Sequence, residues 1–308
     1  MEILDTVIIG GGPAGYSAAL YCTRAGLSTV IVEKMTPGGQ MATTTQIDNY
    51  PGFEEGIDGF ELGDKMRKGA ERFGAKTHYA EVTGVSLEEN PKKIATTNGD
   101  LYAKTVVIAT GAAPRELGIA DEQRFRGKGV GYCATCDGMF FRGKTVAVNG
   151  GGNTAVEDAL FLSKLCEKVY LIHRRDTLRA SRAEAQALEK APNVEFLWNK
   201  VVTGLEGADK LEKIVLQDTV TKDTTTLDAQ GLFVAIGRVP STELFKDVLK
   251  TDAFGYIEAD ETTRTSIPGV FAVGDVRTKP LRQVVTAVGD GAVASKYIEE
   301  YITMEESK

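Results

Sequence analysis

A glycine-rich turn between a strand-forming and a helix-forming segment occurs twice in this chain, and the duplication constrains the fold more than any other feature. The first turn is GGGPAG at residues 10–15, and the second is GGGNTA at residues 150–155. Each follows a short β-branched run and precedes a helical pattern and a second β-branched run. In that setting the G-x-G-x-x-G/A pattern is a dinucleotide-binding fingerprint. The sequence therefore predicts two nucleotide-binding domains of the same kind.

The apolar patterns predict an α/β fold of two Rossmann-like dinucleotide-binding domains, each built in three layers. Strands are predicted at 6–9, 29–32, 105–108, 145–148, 169–172, 231–236 and 270–273, and helices at 13–25 and from the second turn to 165. Between these elements the periodicity fades around 114–129 and 237–247, which we interpret as linkers. The predicted domains are therefore 1–115 together with 245–308, and an inserted domain at 116–244. The acidic tail at 305–308 is expected to fray.

Each glycine of the first fingerprint has a predicted task. Gly10 permits the tight turn, Gly12 lets the backbone approach a pyrophosphate, and Gly15 lets the helix pack on the strand. The N-terminus of the helix adds partial positive charge for the phosphates. Glu33, which ends the second strand, can accept hydrogen bonds from ribose hydroxyls. The alternative is that the glycines serve only the turn, but their place in a complete strand–helix–strand unit favours cofactor binding.

Basic residues stand where the second unit would bind an adenosine ribose. HRR at 173–175 follows the second strand of that unit, and Arg179 comes shortly after it. An acid at this place favours NAD, whereas arginines form bidentate, charge-assisted bonds with a 2′-phosphate. The cluster therefore favours NADPH over the alternative of a solvated basic helix start. The predicted contacts of this cofactor are Gly150, Gly152, Asn153, Thr154, His173, Arg174, Arg175 and Arg179.

Three further apolar strands end at a glycine within a residue or two, at Gly111, Gly237 and Gly274. Exits of this kind in open α/β sheets are where phosphates and riboses approach the backbone. We therefore predict cofactor contacts at these glycines and at Thr110.

A Cys-x-x-Cys pair, Cys133 and Cys136, stands between the two fingerprints. Such a pair occurs in zinc sites and in redox dithiols. Zinc requires four ligands and no second pair has suitable spacing, so no metal is predicted. Burial explains the single cysteines Cys22 and Cys166 better than it explains a pair. A redox dithiol is therefore predicted, with Asp137 as a proton donor or acceptor or, alternatively, as a turn residue.

Composition argues against several partners. The net charge of −7 disfavours nucleic acid and anionic membrane surfaces as partners. No stretch approaches the roughly 20 apolar residues needed to cross a bilayer, and the first residues lack a signal-peptide pattern. The four cysteines form no disulfide framework, so a cytoplasmic location is expected.

Six segments together resemble the low-molecular-weight, bacterial-type thioredoxin reductases over nearly the whole chain. They are GGGPAG (10–15), GGQM (38–41), CATCDG (133–138), GGGNTA (150–155), HRR (173–175) and GVFAVGDV (269–276). The CATCDG segment just before the second fingerprint is specific to that family, whereas the others are shared with other flavoprotein reductases. Relatives that accept electrons from ferredoxin have lost GGGNTA and HRR, which this chain keeps.

The resemblance implies FAD in the outer domain, NADPH in the inserted domain, thioredoxin as the protein substrate, and a homodimer. It places Cys136 nearer the flavin and gives Cys133 the attack on thioredoxin. It implies that Asp275 holds the ribitol. The other implied FAD contacts are Gly12, Pro13, Ala14, Glu33, Gly39, Gln40, Asn49, Arg282, Gln283 and Val284.

Other functions stay open at this stage. The reductase component of an alkyl hydroperoxide system needs an N-terminal dithiol domain, whereas the first strand here is predicted to begin by residue 6. A dithiol oxidase would use the same cysteine pair in reverse, with oxygen as the electron acceptor. A related reductase would act on another thioredoxin-like protein or on a small dithiol partner. A flavin-binding redox sensor would hold the cofactor without turnover.

Overall fold

The computed structural model describes residues 2–44 and 46–307. The chain forms two compact units, one of Met1–Ala113 with Val239–Lys308 and the other of Pro114–Arg238. The predicted boundaries at 115/116 and 244/245 fall slightly later in the chain. The boundaries lie earlier because of two backbone hydrogen bonds. Ser241 N donates to Gly111 O (3.0 Å) within the first unit, and Arg115 N donates to Gly237 O (2.9 Å) within the second.

Short strands dominate both units. They are β1 (Ile3–Ile9), β2 (Thr29–Glu33), β3 (Lys76–Tyr79), β4 (Val82–Ser86), β5 (Lys92–Thr96), β6 (Gly99–Ile108), β7 (Ala112–Pro114), β8 (Val130–Gly131), β9 (Thr145–Asn149), β10 (Lys168–His173), β11 (Val194–Trp198), β12 (Lys200–Glu206), β13 (Lys213–Asp218), β14 (Thr224–Asp228), β15 (Gly231–Val234), β16 (Arg238–Pro240) and β17 (Val270–Ala272).

The helices are fewer than the strands among the described residues, 2–44 and 46–307. They are α1 (Pro13–Arg24), α2 (Gly59–Glu71), α3 (Glu122–Phe125), α4 (Ala134–Asp137), α5 (Asn153–Ser163), α6 (Arg182–Glu189) and α7 (Val284–Glu306). Short 3-10 turns cover Gly39–Thr43, Gly138–Phe141 and Gly274–Val276. In the part of the chain that the structure describes, no helix is both long and apolar enough to span a membrane.

Each unit is built on a parallel sheet. In the first unit the order is β3-β2-β1-β6-β5-β4, and β17 pairs with the end of β6. Strands β1, β2, β3, β6 and β17 are parallel, whereas β4 and β5 are antiparallel additions. In the second unit the order is β11-β10-β9-β15-β8, all parallel, and β12, β13 and β14 form a separate antiparallel sheet.

Alternation along β1 shows how the layers form. Ile8 faces a buried cluster that includes Ala18 of α1 and Ile298 of α7. Val7 faces the opposite cluster, which includes residues of β5 and the segment around Phe245. Since successive strand residues point to opposite faces, one β-branched run supplies both cores. The predicted three-layer α/β fold with two Rossmann-like domains is confirmed.

The structure corrects the sequence-based elements mainly at their ends. The first helix ends at Arg24, the helix after the second turn ends at Ser163, and β15 ends at Val234. Among the longer helices, the pattern missed α2, α6 and α7 altogether, and the tail expected to fray continues α7 as far as Glu306. Helix α7 was missed because its small residues give little amphipathic contrast.

Small residues let α1 and α7 approach closely. A Cβ atom at Gly291 would collide with the Ala14 carbonyl oxygen and lie 2.7 Å from the Ala18 nitrogen. The Ser17 hydroxyl donates to Val288 O at 2.7 Å across the same contact. Gly289, in the same helix, has no atom within 4 Å of its hypothetical Cβ.

We therefore predict opposite effects from the same substitution at two sites in α7. Gly291→Ala should lower the free energy of unfolding by about 1–3 kcal/mol, because the two backbones must separate. Gly289→Ala should raise it by about 0.5–1 kcal/mol, because a helical glycine loses more backbone entropy. Denaturant unfolding of both variants beside the unmodified protein provides the measurement. Equal effects at the two positions would contradict the close packing described here.

Candidate functional site

The first glycine turn leaves room beside the start of α1. Gly10 has a φ of 107°, and a Cβ there would lie 2.5 Å from the Ala109 carbonyl oxygen, so only glycine fits. Gly15 is equally restricted, because its Cβ would collide with the Gly10 carbonyl. Gly12 has open space around it and precedes α1, whose first turn has no side-chain cap. The turn therefore offers free amide donors and a partial positive charge to an anion.

An acid and a second glycine loop frame this turn. Glu33, at the end of β2, accepts the Gly11 amide at 2.8 Å and the Met35 amide at 2.9 Å. Both bonds fix the carboxylate and leave lone pairs that can accept ribose hydroxyls. The loop that follows turns back, with Gly38 N donating to Gly11 O at 2.8 Å. Gly39 then lies so that its Cβ would be 3.5 Å from the Cα of Gly12.

Residues from distant parts of the chain converge on the same region of the first unit. The Asn49 side chain donates to Gln283 Oε1 at 3.1 Å, which joins two predicted contacts far apart in sequence. Gln283 caps α7, and Val284 is the first residue of that helix. Gly274 has a φ of 74°, and its Cβ would lie 2.9 Å from that of Ala14. Gln40 lies in the 3-10 turn that begins at Gly39, and Pro13 begins α1.

A buried carboxylate that the sequence did not single out holds the turn that carries Asp275. Asp290 in α7 accepts the Gly274 amide at 2.8 Å, and it pairs with Arg277 at 2.9 Å and Lys279 at 2.8 Å. Burial alone would raise the pKa of Asp290, but the hydrogen bonds from the two cations outweigh it and the pKa is lowered. No motif marks Asp290, because its partners meet it only in the folded helix.

Arg282 holds the same turn from another side. Its guanidinium donates to the carbonyl oxygens of Asp275 (3.4 Å) and Arg277 (3.2 Å), and it lies 3.9 Å from the ring centroid of Tyr256. The structure therefore gives Arg282 contacts with the backbone beside Asp275. Asp275 itself lies in the 3-10 turn Gly274–Val276 and is half-buried.

The second glycine turn repeats the geometry of the first. A Cβ at Gly150 would collide with the Ala235 carbonyl oxygen, whereas Gly152 has open space before the uncapped start of α5. Gly151 O accepts the backbone amide of Arg179 at 2.7 Å, which is the counterpart of the Gly38–Gly11 bond in the first unit. Asn153 Oδ1 accepts the Ser181 amide at 3.1 Å, and Thr154 is exposed.

The basic cluster divides into one buried and three exposed residues. His173 is only 5% exposed, and its ring occupies the position that a Cβ on Gly151 would take. Burial and the nearby arginine charges lower its pKa, so the imidazole is neutral. The neutral ring packs against the backbone of the glycine turn at Gly151. The three arginines are exposed, and none of their guanidinium groups pairs with an acid in the residues that the structure describes; they are Arg174, Arg175 and Arg179.

The remaining predicted contacts lie at strand exits. The Thr110 hydroxyl donates a hydrogen bond to Ser241 O at 2.7 Å, so this side chain bonds to backbone within the first unit. Gly111 and Gly237 have φ values of 72° and 106°, a region that favours glycine.

Cys133 and Cys136 form a disulfide, with 5.3 Å between their Cα atoms. Cys133 immediately precedes α4, and both cysteines are half-buried. Cys22 and Cys166 are buried free thiols, and burial raises their pKa values to about 12 and about 11. Thiolate chemistry at neutral pH is therefore confined to the pair once it is reduced.

Asp137 stands next to the pair at the end of α4. Its Oδ2 atom would lie 3.1 Å from a Cβ on Gly131, so the glycine makes room for the carboxylate. Burial raises the pKa of Asp137 to about 6. A carboxyl with that pKa can give up or take a proton close to neutral pH.

Among residues 2–44 and 46–307, no three His, Cys, Asp or Glu side chains gather in a way that could hold a metal ion. Both sulfurs of the CATCDG segment are bonded to each other in the disulfide, so neither is a thiolate ligand in this state.

Residues 4–291 match the sequence pattern of the pyridine nucleotide-disulphide oxidoreductases. The chain belongs to this family. A thioredoxin reductase of Treponema pallidum (strain Nichols) is 45% identical over 298 residues, which cover 97% of this chain and 97% of the relative. The predicted resemblance to thioredoxin reductases is thereby confirmed.

Solved structures agree with this membership of the oxidoreductase family. A crystal structure of thioredoxin reductase from Streptococcus pyogenes MGAS5005 is 42% identical, with a TM-score of 0.92 over 98% of this chain and 99% of that one. Thioredoxin reductase from Giardia duodenalis is 35% identical, with a TM-score of 0.93 over 98% of this chain and 100% of that one.

The residues of both glycine turns fit the binding of a dinucleotide. Each turn combines a glycine with open space, an uncapped helix and a strand-end group that can contact an adenosine ribose. The strand-end group is the acid Glu33 in the first unit and the arginine cluster in the second. The two units thus carry side chains of opposite charge at the ends of equivalent strands.

The pKa of Asp137 leads to a prediction about stability. Between pH about 4 and about 6 the folded protein keeps a proton that the unfolded chain has lost, so the unfolded state binds fewer protons and stability falls as pH rises. Asp137→Asn removes this cost, and it should stabilise the protein above pH about 6 by about 1–2 kcal/mol after allowing for partial exposure.

Denaturant unfolding from pH about 2 to pH about 7 measures the effect. Asp218 is a control in the same unit, because its hydrogen bond with Lys200 lowers its pKa to about 2. Relative to the unmodified protein, Asp218→Asn should show the opposite sign. The stability that the paired carboxylate contributes above pH about 4 is missing from the variant, and this deficit should disappear as the pH falls toward about 2. A constant difference between Asp137→Asn and the unmodified protein at every pH would refute the burial effect.

Proposed function

We propose that this protein is an NADPH-dependent flavoprotein that reduces the disulfide of thioredoxin. The observation that carries the proposal is the Cys133–Cys136 disulfide, which lies in the unit that also holds the arginine-flanked fingerprint. The thioredoxin reductases named above support thioredoxin as the partner. We also propose a homodimer and a cytoplasmic location, both on the strength of the family resemblance.

FAD is assigned to the first unit. Gly12 and the start of α1 would receive its pyrophosphate, Glu33 its adenosine ribose, and Asp275 its ribitol. Asn49 and Gln283, joined by their hydrogen bond, would border the ring system. When bound, FAD supplies two-electron transfer between a nicotinamide hydride and a disulfide.

NADPH is assigned to the second unit. Its pyrophosphate would lie at Gly152 and the start of α5, and its 2′-phosphate would lie among the exposed guanidinium groups. Arginine pairs with phosphate through two parallel bonds, whereas NADH offers only a hydroxyl there. Buried His173 would support the glycine turn from beneath.

The dithiol carries the electrons to the protein substrate. Two electrons and two protons convert the disulfide to two thiols, and we assign the exchange of one of these protons to Asp137, whose pKa burial raises to about 6. We assign the attack on thioredoxin's disulfide to the Cys133 thiolate, which forms a mixed disulfide and releases one thioredoxin thiolate. Cys136 then attacks Cys133, restores the internal disulfide and releases the second thiolate.

Anaerobic titration of the purified, FAD-containing protein with NADPH and then with NADH tests this proposal. NADPH should bleach the flavin absorbance, and thioredoxin added next should restore it as its own disulfide is reduced. A flavin that neither nucleotide bleaches would indicate a redox sensor and overturn the proposal. Reoxidation by a small dithiol partner or by oxygen, but not by thioredoxin, would favour the related reductase or the dithiol oxidase.

The arginine cluster predicts a strong nucleotide preference. Losing hydrogen bonds to a charged group typically costs about 1.5–3 kcal/mol, roughly 10- to 150-fold. The double substitution of Arg174→Ala and Arg175→Ala should therefore raise KM for NADPH by that factor and leave KM for NADH nearly unchanged. Lys190→Ala, at an exposed position of the same unit, controls for the loss of a positive charge. Equal losses with both nucleotides would assign the arginines to folding.

The two cysteines should give different variants. Cys136→Ser should trap thioredoxin covalently through Cys133, because no resolving thiol remains. Cys133→Ser should form no such adduct and leave a lone thiol at position 136. Both variants should keep FAD and still be bleached by NADPH, but they should lose thioredoxin reduction almost completely. A stable adduct with Cys133→Ser, resolved by non-reducing electrophoresis, would reverse the two assignments.

A further inference from the structure

A buried carboxylate close to the disulfide has no part in the chemistry described so far. Glu122, the first residue of α3, is 2% exposed. Its Oε1 atom accepts the Leu117 amide and the Tyr132 hydroxyl, both at 2.8 Å, and its Oε2 atom accepts the Gly118 amide at 2.9 Å. Three donors from two chain segments thus converge on one carboxylate.

A buried carboxylate lowers the stability of a fold unless its hydrogen bonds compensate for the lost hydration. Moving a carboxylate out of water is unfavourable, and even well-paired buried charges contribute little net stability compared with apolar residues. Hydrogen bonds to an ionised acceptor are, however, shorter and stronger than neutral ones, so they fix the position of their donors. The segment whose position Glu122 fixes is therefore informative.

That segment is Tyr132, and its side chain is held at both the hydroxyl and the ring. Burial, together with the hydrogen bond to Glu122, raises the pKa of the phenol, so it stays protonated and remains a donor. The Arg126 guanidinium lies 5.0 Å from the centroid of the ring. The ring also packs against the buried cluster that contains Phe125 and Val130.

Tyr132 is the last residue before Cys133. Strand β8 ends at Gly131, where it pairs with Phe233 of β15, so only Tyr132 separates the sheet from the first cysteine. The Glu122–Tyr132 hydrogen bond therefore restrains the backbone on the side of Cys133 that is not held by α4. The disulfide itself supplies this restraint only while it is closed.

We propose that Glu122 and Tyr132 are positioning residues for the dithiol, which hold Cys133 within reach of Cys136 after the disulfide has opened. The proposal rests on the redox role assigned above. Reduction releases a covalent constraint, and the freedom gained by the open form favours the reduced state. A restraint that persists in the open form limits this gain, so it favours closure of the disulfide.

The sign of the effect follows from this comparison. Removing the Tyr132 hydroxyl frees the reduced form more than the oxidised form, so the pair should become easier to reduce. We expect Tyr132→Phe to shift the thiol–disulfide equilibrium toward the dithiol by about 3- to 10-fold, where tenfold corresponds to about 30 mV for a two-electron couple. Glu122→Gln should shift it in the same direction by a smaller factor, because a neutral oxygen accepts weaker hydrogen bonds than a carboxylate and the new NH2 group faces at least one backbone amide donor.

Tyr170→Phe is the matched control in the same unit. Tyr170 is also partly buried against the same cluster and has Lys168 at 5.2 Å from its ring centroid. Its hydroxyl forms no hydrogen bond with any other residue that the structure describes, and it lies on β10, away from Cys133 in sequence. Its loss should leave the equilibrium unchanged.

The experiment equilibrates each FAD-containing protein in buffers of graded dithiothreitol ratio, traps thiols with a maleimide and counts labels by mass. Flavin absorbance and thermal midpoint monitor folding. In Tyr132→Phe the flavin absorbance should stay unchanged, and the thermal midpoint should fall by a few degrees, because the buried carboxylate loses one of its three donors. An unchanged equilibrium, a shift toward the disulfide, or an equal shift in Tyr170→Phe would overturn the proposal. If the unmodified pair exchanges in no buffer, the proposed function fails, and this inference fails with it.

Discussion

Close approach of one backbone to another at the two glycine turns is the constraint on which both units depend. At Gly10 and Gly150 a strand exit, a glycine and the neighbouring strand's carbonyl oxygen occupy space that no side chain could share. This contact sets where α1 and α5 begin, and it leaves their first amides uncapped beside open space.

Equivalent positions around the two turns carry different chemistry. In the first unit, the acid Glu33 ends the second strand and the following loop returns through Gly38. In the second unit, the exposed arginines follow the strand and the loop returns through the backbone of Arg179. One backbone arrangement can therefore support the two cofactor preferences proposed above, because specificity depends on side chains at the strand ends and affinity on the shared turn.

The sequence predicted those parts whose determinants are local. The two strand–turn–helix–strand units, the glycines and the paired cysteines are each specified within a few residues, and their elements agree with the structure to within a few positions. Asp290 and Glu122 could not be found in this way, because each is recognised only by donors that folding brings to it. Helix α7 was missed for a related reason, since its small residues match α1 rather than an amphipathic pattern.

The first unit is formed from two separate chain segments, and this affects the order in which the units can fold during synthesis. The second unit is contiguous in the chain, whereas the first needs α7, which packs against α1, is capped by Gln283 and contains Asp290. During synthesis the second unit is complete first, and the segment that finishes the first unit takes roughly 4–14 s more at about 5–20 residues per second. During that interval the face of α1 that later packs against α7 is not yet covered. The FAD site assigned to the first unit is therefore completed last.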